Sequence, residues 1–130
     1  MAERDPACAN QDAGDWASDW RTLAALWGLP GVAMLAAVLL DPVPRAVVWT
    51  AMLVWMSAAC FANARRCSRT HCHYTGPFFL AMAALVVAYA AGVLPLGSYG
   101  WAILGATIAI GNAMLWWGSE RLLGRFTRSA

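Results

Sequence analysis

Residues 77–94 read PFFLAMAALVVAYAAGVL, a run with no charged side chain. A helix rises about 1.5 Å per residue and the hydrocarbon core of a bilayer is about 30 Å thick, so an apolar run of this length reads as a membrane span. Three further runs of the same kind lie at 22–40, 45–63 and 99–117, with no charge in their interiors. The whole chain agrees: 130 residues, 61% hydrophobic and 12% charged, with a mean hydropathy of +0.54. An ordinary soluble domain carries about 25% charged residues, so this composition excludes one. Four Cys are too sparse for a secreted disulfide framework, and a net charge of +2 is too small for a nucleic-acid binder.

Three parts follow: an acidic segment at 1–21, a four-span domain at 22–117 with a Cys/His loop at 64–76, and a basic tail at 118–130. The first span follows an acidic stretch instead of the short basic stub of a secretory signal, so it reads as a retained helix. Arg65, Arg66 and Arg69 lie between spans two and three, and Arg121, Arg125 and Arg128 follow span four. By the positive-inside rule the expectation is an all-α, multi-pass protein of a bacterial-type inner membrane, with both termini and the middle loop cytoplasmic. The outer links, Asp41 to Pro44 and Pro95 to Ser98, are too short for anything but antiparallel neighbours. An up-and-down four-helix bundle follows. Small residues four apart (Ala84, Ala88 and Gly92; Gly105, Ala109 and Ala113) are expected to be its packing faces. Pro30, near mid-membrane in span one, is expected to kink it by leaving the Leu26 carbonyl without its helical partner.

The chemistry concentrates in one place. Both His residues and three of the four Cys fall between Cys60 and His73. Cys60, Cys67, His71, Cys72 and His73 are the ligand types that Hg(II), Cu(I) and Zn prefer. Cys60 and Cys67 are two helical turns apart if span two runs on, which suits a relay. Cys67 and Cys72 converge only if the intervening segment bends. Thr75, Gly76 and Pro77 read as the start of span three, whose N-terminus, with the three Arg residues, would favour thiolates in the loop. Asn63 and Asn112 are candidates for hydrogen bonds between helices, Asn63 also for lining a route to Cys60. Cys8 sits in the acidic segment. No paired carboxylates, nucleophile elbow, P-loop or dinucleotide fingerprint is present, so none of those enzyme classes is indicated, and whether the protein is an enzyme turns on the Cys/His segment.

Four spans, small size and the string Arg65-Arg66-Cys67-x4-Cys72 resemble the bacterial inner-membrane mercuric ion uptake proteins, the MerC type most closely. The resemblance implies Hg(II) import, with Cys67 and Cys72 as the cytoplasmic receiving pair; here span one has no Cys and the string lies in the middle loop. The expectation is therefore a soft-metal (Hg(II), Cu(I) or Zn) binding and transfer protein in the lipid bilayer. Its partners would be further copies of itself, a cytoplasmic metal acceptor, or the subunits of a membrane complex. The rivals are a thiol oxidoreductase with a Cys67/Cys72 pair and an isoprenoid quinone as acceptor, and a non-enzymatic accessory subunit.

Overall fold

The computed structural model describes residues 14–126; Cys8, most of the acidic segment and Arg128 lie outside them. The described residues are helical apart from short turns and one isolated bridge between Arg69 and Phe126. Four helices are long and apolar enough to cross a membrane: α1 (Trp20–Leu39), α2 (Pro42–Cys67), α3 (Thr70–Ala90) and α4 (Gly100–Leu123), the last entered through a short turn at Gly97–Tyr99.

Helix α1 is not uniform. A π-helical turn at Ala24–Gly28 precedes the regular stretch Leu29–Ala36. The Leu29 N–H reaches back to the Ala24 carbonyl, and Pro30 falls in the first turn of the regular stretch, where its missing N–H is harmless. The break expected at Pro30 is thus taken up by a wider turn just before it. That turn also carries Trp27. At the far end of α1 the Arg45 guanidinium donates to the carbonyls of Val38 and Leu40, both at 2.7 Å, capping groups the helix leaves unpaired. Pro42 begins α2, so the link between α1 and α2 is only Leu40 and Asp41.

The middle loop expected at 64–76 is not a loop. Helix α2 continues to Cys67, Ser68 adopts the left-handed conformation that ends a helix (φ 53°), Arg69 is extended, and α3 begins at Thr70. Pro77 therefore lies inside α3 instead of starting it. The reversal takes two residues, which presses the last turns of α2 directly against the first turns of α3.

Helices α2 and α3 form the centre, with α1 packed on α2 and α4 packed on α3. The apolar windows of α2 and α3 are 44% and 39% buried, those of α1 and α4 only 17% and 11%, so the outer helices leave most of their apolar surface uncovered. Leu39, Val32, Leu80, Val87 and Ile110 are among the exposed apolar side chains. The buried face of α3 is Phe79, Met82, Ala83 and Val86. Its small-residue stripe is not the packing face, because Ala84 is exposed and these bulkier residues fill the interface. Helices α1 and α4 share no packed interface of the kind that joins the other neighbours, so the bundle stays open on that side.

One glycine fixes the approach of α4. A Cβ at Gly100 would come within 2.2 Å of the Tyr89 ring, whose hydroxyl donates to the Gly97 carbonyl at 2.7 Å. Moving the ring out of the way breaks that bond. Gly100→Ala is expected to destabilise the folded protein by about 1–3 kcal/mol, as overpacked sites do, read as a lower midpoint of thermal unfolding in detergent. An unchanged midpoint would show that Tyr89 swings aside freely.

Candidate functional site

At one end of the bundle the segment from Gly14, the α2–α3 turn and the end of α4 come together. The Thr70 N–H bonds the Arg125 carbonyl at 3.1 Å, and the Trp16 N–H bonds Asn63 Oδ1 at 3.2 Å. Beneath this layer are two free thiols, Cys60 of α2 and Cys72 of α3, both with no exposed surface. The two side chains are near enough to interact with each other. The tight turn sets Cys60 against Thr75 and Asn63 against Cys72 on antiparallel helices, which leaves the two thiols about one helical turn apart in register on facing helices.

Each thiol has its own surroundings. Cys60 Sγ lies 3.2 Å from Thr75 Oγ1 and accepts from Trp27 Nε1 at 3.4 Å. Cys72 Sγ lies 3.3 Å from His71 Nε2 and accepts from Asn63 Nδ2 at 3.5 Å. His71, 1% exposed, has its other nitrogen, Nδ1, 2.7 Å from Glu120 Oε1. Its ring stacks on Trp116, 3.9 Å between centroids and 9° from parallel. A thiol, an imidazole and a carboxylate are thus in line, the order in which a base is oriented toward a nucleophile.

Glu120 is held by Arg69, through Nε at 2.7 Å and Nη2 at 3.2 Å. Arg69 Nη1 also reaches Asp15 Oδ2 and, at 3.2 Å, Ser18 Oγ. Asp15 in turn accepts from Asn63 Nδ2 at 2.7 Å. Cys72, His71, Glu120, Arg69, Asp15 and Asn63 therefore form a closed ring of polar contacts. Burial would raise the Asp15 carboxyl, but hydrogen bonds from Asn63, Ser18 and the Ala17 N–H, with the Arg69 charge, hold it below the ordinary carboxylate range. The ring contains one guanidinium and two carboxylates, so it carries a net negative charge when His71 is neutral. A proton moved from Cys72 to His71 places an imidazolium between the thiolate and Glu120, with a counter-charge on each side.

The other expected ligands are elsewhere. His73, one residue past Cys72, is exposed on the outer side of α3. Cys67 is buried, with its Sγ 3.2 Å from the Gly14 carbonyl oxygen, and is disulfide-bonded, so it does not join Cys72 in a free pair. The structure brings together Cys60, His71 and Cys72 of the five expected residues. It adds Asn63, Arg69, Thr75 and Glu120, together with Asp15 and Trp27. Among the described residues no group of three or more His, Cys, Asp or Glu is arranged to hold a metal ion. The four-ligand Zn set is not assembled, because the helical start of α3 turns His71 inward and His73 outward.

Beside the thiols is a cleft of about 320 Å³ between α1 and α4, floored by α2 and α3. Trp27 and Trp116, which touch Cys60 and His71, are part of its wall. No family model, curated protein or solved structure matches this chain.

Proposed function

We propose that the protein is a membrane thiol oxidoreductase whose redox pair is Cys60 and Cys72, with His71 as the proton acceptor for Cys72. The observation that carries this reading is the nearness of two free, fully buried thiols on facing helices, one of them 3.3 Å from an imidazole that Glu120 orients. In the oxidising half-reaction both S–H bonds break and an S–S bond forms. Two electrons and two protons pass to an acceptor, a disulfide or a quinone. A dithiol donor returns the pair by exchange and becomes a disulfide itself.

Such chemistry on an Arg-rich, cytoplasmic face meets the objection that the cytoplasm keeps thiols reduced. Burial answers it. Thiols with no exposed surface are shielded from the aqueous glutathione pool, so a lipid-borne partner sets their poise. The bacterial-type inner membrane and the cytoplasmic placement of the Arg-rich face belong to this proposal, on the positive-inside rule.

A second reading keeps the soft-metal expectation. Two thiolates and no third ligand satisfy a near-linear ion such as Hg(II) or Cu(I) as cargo, whereas they leave Zn incomplete. The MerC-like string supports it less than before, since Cys67 is not in the free pair.

The readings separate on the full-length protein in lipid nanodiscs. Equilibration in dithiothreitol buffers, followed by acid trapping and thiol alkylation, is expected to show, besides the reduction of the Cys67 disulfide, a reversible two-electron transition with a Cys60–Cys72 disulfide on its oxidised side. A pair that stays dithiol at every poise would overturn the redox reading. One Hg(II) or Cu(I) held per reduced pair in that case would leave the metal reading in its place.

A further inference from the structure

The cleft between α1 and α4 has three properties that are independent of the thiols. It lies between two helices that share no packed interface, so with the four apolar helices across a membrane its open side would face the bilayer and not water. Its walls are flat aromatic surfaces, Trp27, Trp49, Phe79 and Trp116, with Met34 and Met56 between them. Finally, it holds one amide. Asn112 sits midway along α4, between Ile108 and Trp116 on the same face, and its side chain makes no hydrogen bond to any described residue. An amide at that depth without a partner is costly, because lipid offers none.

Small residues keep the space open. Gly105 and Ala109 on α4 and Gly31 on α1 line it, and a Cβ added at Gly31 would meet no atom within 4 Å. A volume of about 320 Å³ falls at the lower end of the range for small-molecule sites, about 300–1,000 Å³. The inner wall is shared with the thiol centre, since Trp27 donates to Cys60 and Trp116 stacks on His71.

We infer that this cleft binds the ring of a lipid-soluble quinone, with the Asn112 amide donating to a ring carbonyl and the Cys60–Cys72 dithiol as electron donor. The inference rests on the redox reading of the pair. The occupant must be apolar enough to enter from the bilayer, flat enough to lie against indole rings, able to accept a hydrogen bond, and able to take two electrons with two protons. A quinone meets all four conditions. In the reaction the dithiol loses two hydrogens and gains an S–S bond, while the two quinone carbonyls become hydroxyls. The protons come from the thiols, that of Cys72 by way of His71.

The test uses the full chain in nanodiscs, reduced to the dithiol, with a decyl-substituted benzoquinone as the probe. Wild type is expected to lose two free thiols for each probe molecule reduced. Gly31→Phe puts a ring into the open cleft and is expected to slow probe-driven oxidation at least about ten-fold; Asn112→Leu is expected to raise the half-saturating probe concentration about five- to ten-fold, the worth of one hydrogen bond. Gly31→Ala, which adds only a methyl group to open space, is expected to behave as wild type and controls for folding. All three variants should keep the wild-type midpoint in dithiothreitol buffers. If that midpoint is kept but Gly31→Phe and Asn112→Leu are oxidised by the probe as fast as wild type, the cleft assignment is overturned and the redox reading stands. If no disulfide forms in the buffers, the redox reading fails and the quinone assignment falls with it.

Discussion

Cys60→Ser and Cys72→Ser are each expected to abolish the two-electron transition of the Cys60–Cys72 pair completely, and Cys67→Ser is expected to leave it in place. A serine hydroxyl nearly preserves the size of the thiol and keeps hydrogen-bonding partners within reach, Thr75 and Trp27 for Cys60 and His71 and Asn63 for Cys72. The loss is therefore one of chemistry more than of packing. His71→Ala separates rate from equilibrium. Its removal takes away the proton acceptor 3.3 Å from Cys72 Sγ, which is expected to slow oxidation by about 10²–10⁴-fold, the usual worth of a positioned base. The measurement is alkylation-trapped thiol content against time for the rate, and against buffer poise for the midpoint. Retention of the transition in Cys60→Ser, with loss in Cys67→Ser, would restore the pairing first read from the sequence.

The structure sets Cys72 near Cys60, and leaves Cys67 out of the free pair, for a local reason. Residues 64–76 are rich in Arg, Ser, Thr and His, and Gly76-Pro77 has the look of a helix start, so the segment reads as a loop bracketed by two spans. The decisive feature is the backbone of Ser68, a non-glycine residue in the left-handed region, which ends α2 and lets α3 begin two residues later. Nothing in the side chain of Ser68 announces that conformation. Had the turn been placed at 68–69, antiparallel helices would have set Cys60 against Thr75 and Asn63 against Cys72, putting the two thiols within about one helical turn of each other on facing helices. The spans were legible because apolar length alone decides them. Asn63 was readable as a polar residue near the inner face, and it proves to bridge Cys72 and Asp15. Asp15 and Glu120 carried no signal of their own, since one lies in an acidic stretch and the other just beyond span four. Their partner Arg69 was already accounted for by topology.

Arg69 is the residue whose loss should cost the folded state most. It is 3% exposed, and its fork joins Glu120 on α4 to Asp15 in the segment before α1, with Phe126 lying 5.5 Å from the guanidinium carbon. Arg69→Met removes the cation and leaves two carboxylates facing a buried site. Breaking a buried ion pair in this one-sided way costs about 3–5 kcal/mol, read as a shift in denaturant unfolding followed by Trp fluorescence in detergent. The double variant Arg69→Met with Asp15→Asn should recover part of it, because one of the stranded charges is gone.

The pH dependence follows from Asp15. Its carboxyl is held below the ordinary range in the folded state, first against burial by the Asn63 and Ser18 hydrogen bonds and then by Arg69. Its contribution is therefore fully present above the unfolded value of about 3.9 and is lost as pH falls through the lower folded value. Arg69→Met removes the one charge among the groups that depress it, so the acid loss due to Asp15 should be smaller and complete at a higher pH than in wild type. The same substitution opens the polar lid over the thiols. Cys72 should then react with a water-soluble maleimide at a pH where the wild-type thiol is protected. If Arg69→Met unfolds at the wild-type denaturant concentration and Cys72 stays unreactive, the ring of contacts is not what closes the thiol pair from the aqueous side.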